Sequence, residues 1–418
     1  MRILIYGLNY SPELTGVGKY TGEMAGWLAR QGHEVRVITA PPYYPEWRIG
    51  AGYSAWGSRP EKICGVTVFR TPLWVPEAPT TVKRVLHLLT FTLGSIPRLL
   101  GQLSWRPDVT IGIAPSFFCT PATLFFAALS GSRSWLHIQD FEIDAMFGLG
   151  MMRGHGLLAR CAFAVERFLL QRFDRVSTIS ASMRDRLHAK GVKPQRVVLF
   201  PNWVDTDFIS PDCDGSSLRQ TLGLKPADRV VLYSGNLGKK QGLEIVLEAA
   251  QALKHRHDLF FVIVGEGAHK EYLVADAVAR GLNNVLFFPL QPYRSLPELL
   301  QLADLHLVIQ KRGAADAVMP SKLTGILAAG GQAIITADAD TELGRLVEEN
   351  PGIATLIEPE NGEALVAAIV KLVDSPDRQG FNPVARQYVL DHLDTERVLE
   401  RFEADLMQTH GASSPSGH

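Results

Sequence analysis

Cysteine is scarce in this chain. Cys64, Cys119, Cys161 and Cys213 are the only four in 418 residues, and no two are spaced as CxxC. That excludes a disulfide-stapled scaffold and a zinc site of the finger or ribbon type. What remains is the pattern of ordinary thiols in a reducing compartment. An excess of one charge is also lacking: 42 Lys and Arg face 43 Asp and Glu, for a formal charge of -1. Nucleic-acid recognition normally needs a concentrated basic face, so nucleic acid is not an expected partner. Long unbroken apolar runs are missing too. Val109–Ala128 comes nearest, but Pro115 and Pro121 interrupt it, as do the polar Ser116 and Thr120. A span needs roughly 20 continuous apolar residues, so a buried strand leading into a helix explains this stretch better. Met1-Arg2 runs directly into Ile3–Tyr6, without the apolar stretch and cleavage site of a signal peptide. The expected location is therefore the cytoplasm.

Apolar residues are plentiful, at 46% with 19 Phe, 10 Tyr and 7 Trp. That suffices for two or three folded domains and excludes disorder of the whole chain. Val85–Leu103 mixes Leu, Phe and Ile with His87, Pro97 and Arg98. It has two readings, a core-facing helix or an amphipathic element resting on a lipid surface.

Along the first half, short β-rich runs alternate with helical stretches. The strands are expected at Ile3–Tyr6, Glu34–Thr39, Val66–Arg70, Val109–Ile113, Trp135–Gln139, Arg175–Thr178 and Val197–Phe200. Helices are clearest at Gly18–Arg30, Leu157–Arg172 and Ala181–Lys190. After a polar linker near Asp205–Pro226 a second cycle begins. Its strands are expected at Arg229–Tyr233, Phe260–Val264, Val285–Phe288, Leu305–Ile309 and Ala333–Thr336. Such alternation specifies parallel sheets covered by helices. The expected fold is α/β, with two doubly wound, Rossmann-like parallel-sheet domains facing across a cleft. The domains are placed at residues 1–204 and 205–385, with terminal helices over 386–410 returning towards the first domain and a disordered tail over 411–418. Ligands of open α/β sheets bind outside the carboxyl ends of the strands, although architecture alone names no chemistry.

Several segments at those strand ends are suited to chemistry. Gly16-Val17-Gly18 follows the first strand and opens a helix, where glycine permits close approach and backbone N–H groups favour anions. It is not GxGxxG, so no dinucleotide fingerprint is present. Asn236, Lys239 and Lys240 lie in the corresponding loop of the second domain, Ser234–Gly242, and two lysines beside glycine turns suit a diphosphate. Gly265-Glu266-Gly267 offers another close-approach turn. There Glu266 either binds a ribose or sugar hydroxyl or caps the following helix. Asp316 and Pro320-Ser321-Lys322 precede a small-residue helix. Ser321 is the expected N-cap, and a lysine in the first helical turn makes sense beside an anion bound there. His137 and Gln139 share a strand face and lead into the acidic loop of Asp140, Glu142 and Asp144. His137 and Asp140 are candidates to reach a sugar; the bland alternative for His137 is a satisfied core hydrogen bond.

Taken together, these segments resemble the retaining glycosyltransferases of family 4, which have the GT-B fold, and in particular the subgroup of colanic acid and exopolysaccharide biosynthesis glycosyltransferases. The likeness runs from Tyr6-Gly7-Leu8-Asn9-Tyr10-Ser11-Pro12-Glu13 to about Met407. It is strongest in Ala40-Pro41-Pro42-Tyr43-Tyr44-Pro45-Glu46-Trp47, His137–Asp144, Phe200-Pro201-Asn202-Trp203, Ser234–Gly242, Lys311–Asp316 and Pro320–Gly331. The resemblance implies an acceptor-side N-terminal domain and a C-terminal domain that binds a nucleotide diphosphate sugar. It implies catalysis without metal or other cofactor, and an acceptor that is a saccharide or lipid-linked saccharide at the cytoplasmic face of an inner membrane, with peripheral association there. His137, Asp140 and Lys322 become the catalytic candidates. The donor and diphosphate candidates are Gly16, Val17, Gly18, Asn236, Lys239, Lys240, Gly265, Glu266, Asp316, Ser321, Lys322 and Glu342.

The chain departs from the family in places. Ala317 and Gly325 stand where many members carry two glutamates eight residues apart, and Asn236 and Gln241 where many carry Arg and Lys. Lys239, Lys240 and Lys322 are the candidates to compensate. Two rivals share some of these features: a sugar-nucleotide 2-epimerase, which needs an acid/base pair on the sugar, and a non-catalytic sugar- or nucleotide-binding protein.

Overall fold

The computed structural model describes residues 1–13, 16–115, 117–144, 156–313, 319–375 and 380–411. They form two compact units. One comprises Met1–Pro201 with the chain from Leu399 onward, and the other Asn202–Val398.

The first unit is built on an eight-stranded sheet. Its strands are β1 (Arg2–Tyr6), β2 (Glu34–Thr39), β3 (Glu61–Ile63), β4 (Val66–Arg70), β5 (Val109–Ala114), β6 (Arg133–Ile138), β7 (Arg175–Thr178) and β8 (Val197–Leu199), in the order β3-β4-β2-β1-β5-β6-β7-β8. All pairings are parallel except β3 with β4, a short edge hairpin that the sequence pattern did not signal. Strand β1 is central, pairing Tyr6 with Ile38 on one side and with Gly112 on the other. Chain order reverses at β1 and β5, which makes their carboxyl ends the topological switch point where such sheets take ligands. Apart from the exposed Arg2 at the start of β1, both central strands are buried, as a parallel sheet covered on both faces requires.

Val109–Ala128 resolves as expected into strand β5 and the helix Cys119–Ser130. The stretch with two readings is a helix, Thr81–Leu100, entered through a Thr80 cap on the Lys83 N–H. It buries His87, Leu88, Phe91, Ser95 and Leu99, with Phe91 stacked on Tyr6 and the Tyr6 hydroxyl 2.7 Å from Ser95 Oγ. The final helix, Thr395–Gly411, returns the chain to this unit. Phe402 stacks on Phe200 at 4.0 Å, and Glu403 meets His33 at 2.7 Å.

The second unit has a six-stranded, wholly parallel sheet. Its strands are β9 (Arg229–Ser234), β10 (Leu259–Val264), β11 (Val285–Phe288), β12 (Leu305–Val308), β13 (Ala333–Thr336) and β14 (Thr355–Ile357), in the order β11-β10-β9-β12-β13-β14. Alternate residues feed opposite faces: Val231 and Tyr233 join one apolar cluster, Val230 and Leu232 another. The switch point here lies between β9 and β12. Helix Pro383–His392 packs within this unit through Ala385 and Val389.

Candidate functional site

In the second unit the loops after β9 and β10 are fitted against each other. Gly235 N–H donates to the Val264 carbonyl at 3.0 Å and Leu237 N–H to that of Glu266 at 2.9 Å. A Cβ on Gly265 would stand 1.9 Å from the Gly235 oxygen, and one on Gly267 2.4 Å from the Leu237 oxygen. Only glycine permits so close an approach. Behind these turns lies Lys322, in the first turn of helix Ser321–Ala328, with its ammonium 4.3 Å from the centre of the Tyr233 ring. Tyr233 is held by its hydroxyl, which donates to the Asn236 carbonyl at 2.9 Å. Burial pulls the Lys322 pKa down to about 8, and among the described residues it has no carboxylate partner.

The remaining candidates of this unit divide. Asn236, Lys239, Lys240 and Glu266 are exposed on the rim of the two glycine turns. Glu266 is paired with Lys270 at 2.7 Å, an i,i+4 ion pair on the following helix. Ser321 is not the N-cap: Pro320 holds that position with no side-chain cap bond, and Ser321 is the first helical residue. The physical reason lies in the backbone, since Pro320 is extended and helical geometry starts one residue later. Glu342 opens a separate helix, Glu342–Glu349, capped by Thr341 on Gly344 N–H. Asp316 lies outside the described residues. Lys311, not singled out from the sequence, lies across Gly242, where a Cβ would come within 2.7 Å of its Cγ, and its N–H donates to the Lys240 carbonyl at 3.2 Å. A lysine two residues past an apolar strand end was the available signal.

In the first unit a cavity of about 400 Å³ opens at the carboxyl ends of the central strands. Gly16, Val17 and Gly18, which head the helix Gly16–Arg30, form one side, with Leu8 and Asn9 after β1. Tyr43, Tyr44 and Trp47 after β2 form another, and Asp140 and Glu142 after β6 a third. Glu13 ties these loops together from beneath. Its Oε1 accepts from the N–H groups of Tyr43 and Tyr44 at 3.0 and 3.1 Å, and its Oε2 from the Asn9 amide at 2.9 Å. Gly18 leaves room for it, since a Cβ there would stand 2.8 Å from Glu13 Oε2. Burial raises the Glu13 pKa despite these donors.

Asp140 therefore reaches the cavity, and His137 does not line it. The His137 ring is buried on β6, 2.9 Å from Ser177 Oγ and packed against Phe200. Burial lowers its pKa to about 3. The catalytic role expected of His137 finds no support in this placement: the pleat turns its side chain into the core, where the ring stays neutral. Glu142, noted only as part of the acidic loop, is the more perturbed group. Burial and then nearby Asp140 raise its pKa to about 7, against the opposing hydrogen bond from Phe117 N–H at 2.8 Å. The aromatic run Tyr43–Trp47 was the sequence signal for the opposite wall.

Among the described residues, no group of His, Cys, Asp and Glu side chains is arranged to hold a metal ion, and no helix is long and apolar enough to cross a membrane.

The chain matches two known families: residues 15–203 the glycosyl transferase 4-like domain, and residues 215–387 the glycosyl transferases group 1. It is 53% identical over 410 residues to WcaI of Escherichia coli (strain K12), whose name assigns it to colanic acid biosynthesis as a glycosyl transferase. That match covers 97% of this chain and all of the relative. Among solved structures, the fold is like that of sucrose-phosphate synthase from Thermosynechococcus elongatus (TM-score 0.70, 15% identity, 99% of this chain and 100% of that one). It is also like that of Anabaena Alr3699/HepE in complex with UDP-glucose (TM-score 0.68, 15% identity, 98% and 100%).

Proposed function

The chain belongs to the family 4 glycosyltransferases of the GT-B fold, enzymes that move a sugar from a nucleotide diphosphate sugar to a saccharide acceptor, and from that premise we propose how this chain divides the task. The second unit holds the donor. Its diphosphate meets Lys322 and the glycine turns of Gly235 and Gly265, with Lys239 and Lys240 adding charge from the rim. Asn236, Glu266, Ser321, Asp316 and Glu342 belong to the same donor side. The first unit holds the acceptor saccharide in the cavity that Asp140 lines; Gly16, Val17 and Gly18, expected from the sequence to meet the diphosphate, line the same cavity and are reassigned to the acceptor in this proposal.

One observation carries the donor assignment: a half-buried lysine at a helix start, its ammonium over the Tyr233 ring and without a described carboxylate partner. Leaving such a charge buried is unfavourable unless an anion joins it. Negative charge grows on the departing diphosphate during sugar transfer, and a fixed cation lowers the barrier by stabilising it there. Calorimetric titration with UDP, GDP, ADP and their sugar conjugates tests this. One nucleotide should bind selectively and at least tenfold more weakly to Lys322→Ala. A folded protein that binds none of them would remove the donor site. Donor conversion without any acceptor would instead favour an epimerase.

The acceptor is lipid-linked, and the first unit rests on the membrane surface. The support is the outward face of helix Thr81–Leu100. Val82, Leu86, Leu93, Ile96 and Leu100 are all exposed, Val82 at 70% and Leu93 at 65%. At 100° per residue they fall within an arc of about 80°, forming one stripe. Phe125 and Leu129, on the helix Cys119–Ser130, are exposed as well. Lys83 flanks the stripe, and the long helix has no acidic residue to repel an anionic lipid surface.

A further inference from the structure

Lys190, not singled out from the sequence, closes the helix Ala181–Ala189, where its N–H donates to the Arg186 carbonyl at 2.9 Å. The end of a helix favours a cation. The Gln171 amide fixes its backbone from the other side, donating to the Lys190 carbonyl at 3.1 Å.

Its ammonium sits among four side chains drawn from two other elements. On the helix Leu157–Leu170 it donates to Glu166 Oε2 at 2.5 Å and lies 5.1 Å from the centre of the Phe163 ring. On the loop after β6 it donates to Asp144 Oδ1 at 2.9 Å and lies 5.2 Å from the centre of the Phe141 ring. Arg186, one turn earlier on the same helix, adds a longer contact to Asp144 at 4.0 Å. The side chains of Glu166 and Lys190 are only 5% and 14% exposed. Water cannot stand in for either partner there, and cutting one away leaves a charge buried and unpaired.

The loop so held is the one that reaches the cavity. Strand β6 ends at Ile138, and within the next six residues the side chains divide. Phe141 and Ile143 are buried, whereas Asp140 and Glu142 line the cavity. Glu142 thus lies between the two residues, Phe141 and Asp144, that the ammonium holds. On its own side it is tied by the Phe117 N–H at 2.8 Å. Lys190 itself does not line the cavity.

We propose that Lys190 is a positioning residue for sugar transfer: by holding Phe141 and Asp144 it sets the loop that presents Asp140 and Glu142 to the cavity. That these carboxyl groups serve the acceptor rests on the reading proposed above. That Lys190 places them rests on its contacts alone. An ion cluster with a merely structural role would cost stability when broken and leave the cavity carboxyls as they were.

The Glu142 carboxyl reports the placement of the loop. Its pKa of about 7 comes first from burial and then from Asp140, against the Phe117 bond, and Asp144 is not among its causes. Removing the Asp144 charge therefore shifts Glu142 only by moving the loop. Carbon NMR on the full chain, with glutamate side chains isotopically labelled and the signal assigned through Glu142→Gln, follows the titration. Asp144→Asn keeps the Lys190–Glu166 pair but releases the loop from it. Glu142 should then titrate lower by about one pH unit or more, as water reaches it. Lys190→Met should lower it as well, and Lys190→Arg, which keeps the charge, should stay close to wild type. If Lys190→Met fails to fold, Asp144→Asn decides alone. An unchanged Glu142 titration in folded Asp144→Asn overturns the proposal, as does a wild-type Glu142 that titrates in the ordinary carboxylate range.

Transfer of radiolabelled sugar, from the nucleotide sugar that calorimetry selects to lipids extracted from bacterial membranes, supplies the second readout. Asp144→Asn should raise the acceptor KM by about fivefold or more and leave the donor KM unchanged. Both KM values equal to wild type would also overturn the proposal. Transfer indifferent to Asp140→Asn and Glu142→Gln would instead sink the acceptor reading, while the titration still decides whether Lys190 sets the loop.

Discussion

Lys322 lies with its ammonium 4.3 Å from the centre of the Tyr233 ring, and burial holds its pKa at about 8, below the usual lysine range. The charged form that binds a diphosphate is therefore lost as pH rises through about 8 in the free protein. An anion bound beside it favours the proton, so binding takes up a proton above that pH. Nucleoside diphosphate affinity should fall as pH rises from 7 to 9.5. Lys322→Arg, which stays charged throughout, should show a flat profile. Calorimetry at several pH values, in buffers of different ionisation enthalpy, measures both the affinity and the proton uptake. A wild-type affinity independent of pH would contradict the charged role.

The glycine turns make a second, purely steric prediction. Gly265 has a φ of 152°, and a Cβ there would stand 1.9 Å from the Gly235 oxygen, which belongs to rigid backbone. Gly265→Ala should destabilise the second unit by about 2–4 kcal/mol and weaken nucleotide binding together with it. Gly313→Ala provides the contrast. Gly313 has a φ of 74° but, among the described residues, no atom within 4 Å of an added Cβ, so only backbone strain, about 1 kcal/mol, is expected. Urea unfolding of the two variants decides between crowding and conformation as the reason for the glycines.

Most strands were legible because they are short apolar runs with glycine or proline nearby, and both faces of these sheets are covered. Thus Val109–Ala114 and Leu259–Val264 stand where their β-branched and aromatic content puts them. Glu61–Ile63 escaped notice because three residues at a solvated edge carry no apolar signal. Gly265 and Lys322 stood out as candidates because a glycine at a strand end and a lysine at a helix start both run against local preference. His137 misled for a geometric reason. Alternation along β6 places it on a face with Gln139, but only the structure shows that this face packs on Phe200 and Ser177. Glu13 and Glu142 were not picked out as site residues because their roles depend on partners 25 to 31 positions away.

Glu142 gives a pH-dependent stability with a definite sign. Its pKa is about 7 in the folded chain, raised from the ordinary 4.5 chiefly by burial. Between those two values the folded state binds a proton that the unfolded state has released. Stability contributed by the neutral carboxyl is thus present below about pH 4.5 and is lost as pH rises to about 7. Glu142→Gln mimics the protonated form and avoids that loss. Its stability advantage over wild type should grow across this window, by about 2–3 kcal/mol at most, and then level off. Chemical denaturation of both proteins at pH 5, 6, 7 and 8 reads the difference. A constant offset would show that Glu142 titrates normally.

His137 acts in the opposite direction. Its folded pKa of about 3, lowered by burial, lies below the unfolded value of 6.5. The unfolded chain takes up a proton that the folded chain refuses. Stability is therefore full above about pH 6.5 and drains away as pH falls towards 3. His137→Gln keeps a hydrogen-bonding group near Ser177 without the titration. It should start less stable at neutral pH, by about 1–2 kcal/mol for lost packing, yet lose less on acidification. Crossing of the two stability curves between pH 6 and 4 is the expected result. If transfer activity also survives the substitution, His137 is confirmed as a core residue and not a participant in the chemistry.

The exposed apolar stripe of helix Thr81–Leu100 makes the membrane proposal testable. Leu93 is 65% exposed and Leu86 48%, both on the outward side of one helix, so replacing them leaves the core on the opposite side intact. On the vesicle surface each buried leucine or valine is worth about 1.5–3 kcal/mol of apolar transfer. Leu86→Glu with Leu93→Glu also sets two negative charges against anionic headgroups, where each nearby basic residue contributes about 1 kcal/mol. Cosedimentation with vesicles of phosphatidylglycerol and phosphatidylethanolamine should show wild type bound and the double variant at least thirtyfold weaker. Salt should weaken wild type only in part, because the apolar stripe is not screened. Nucleotide binding in the second unit should be unchanged, which separates a docking defect from misfolding. Equal partition of the two proteins would mean that the stripe meets something other than lipid.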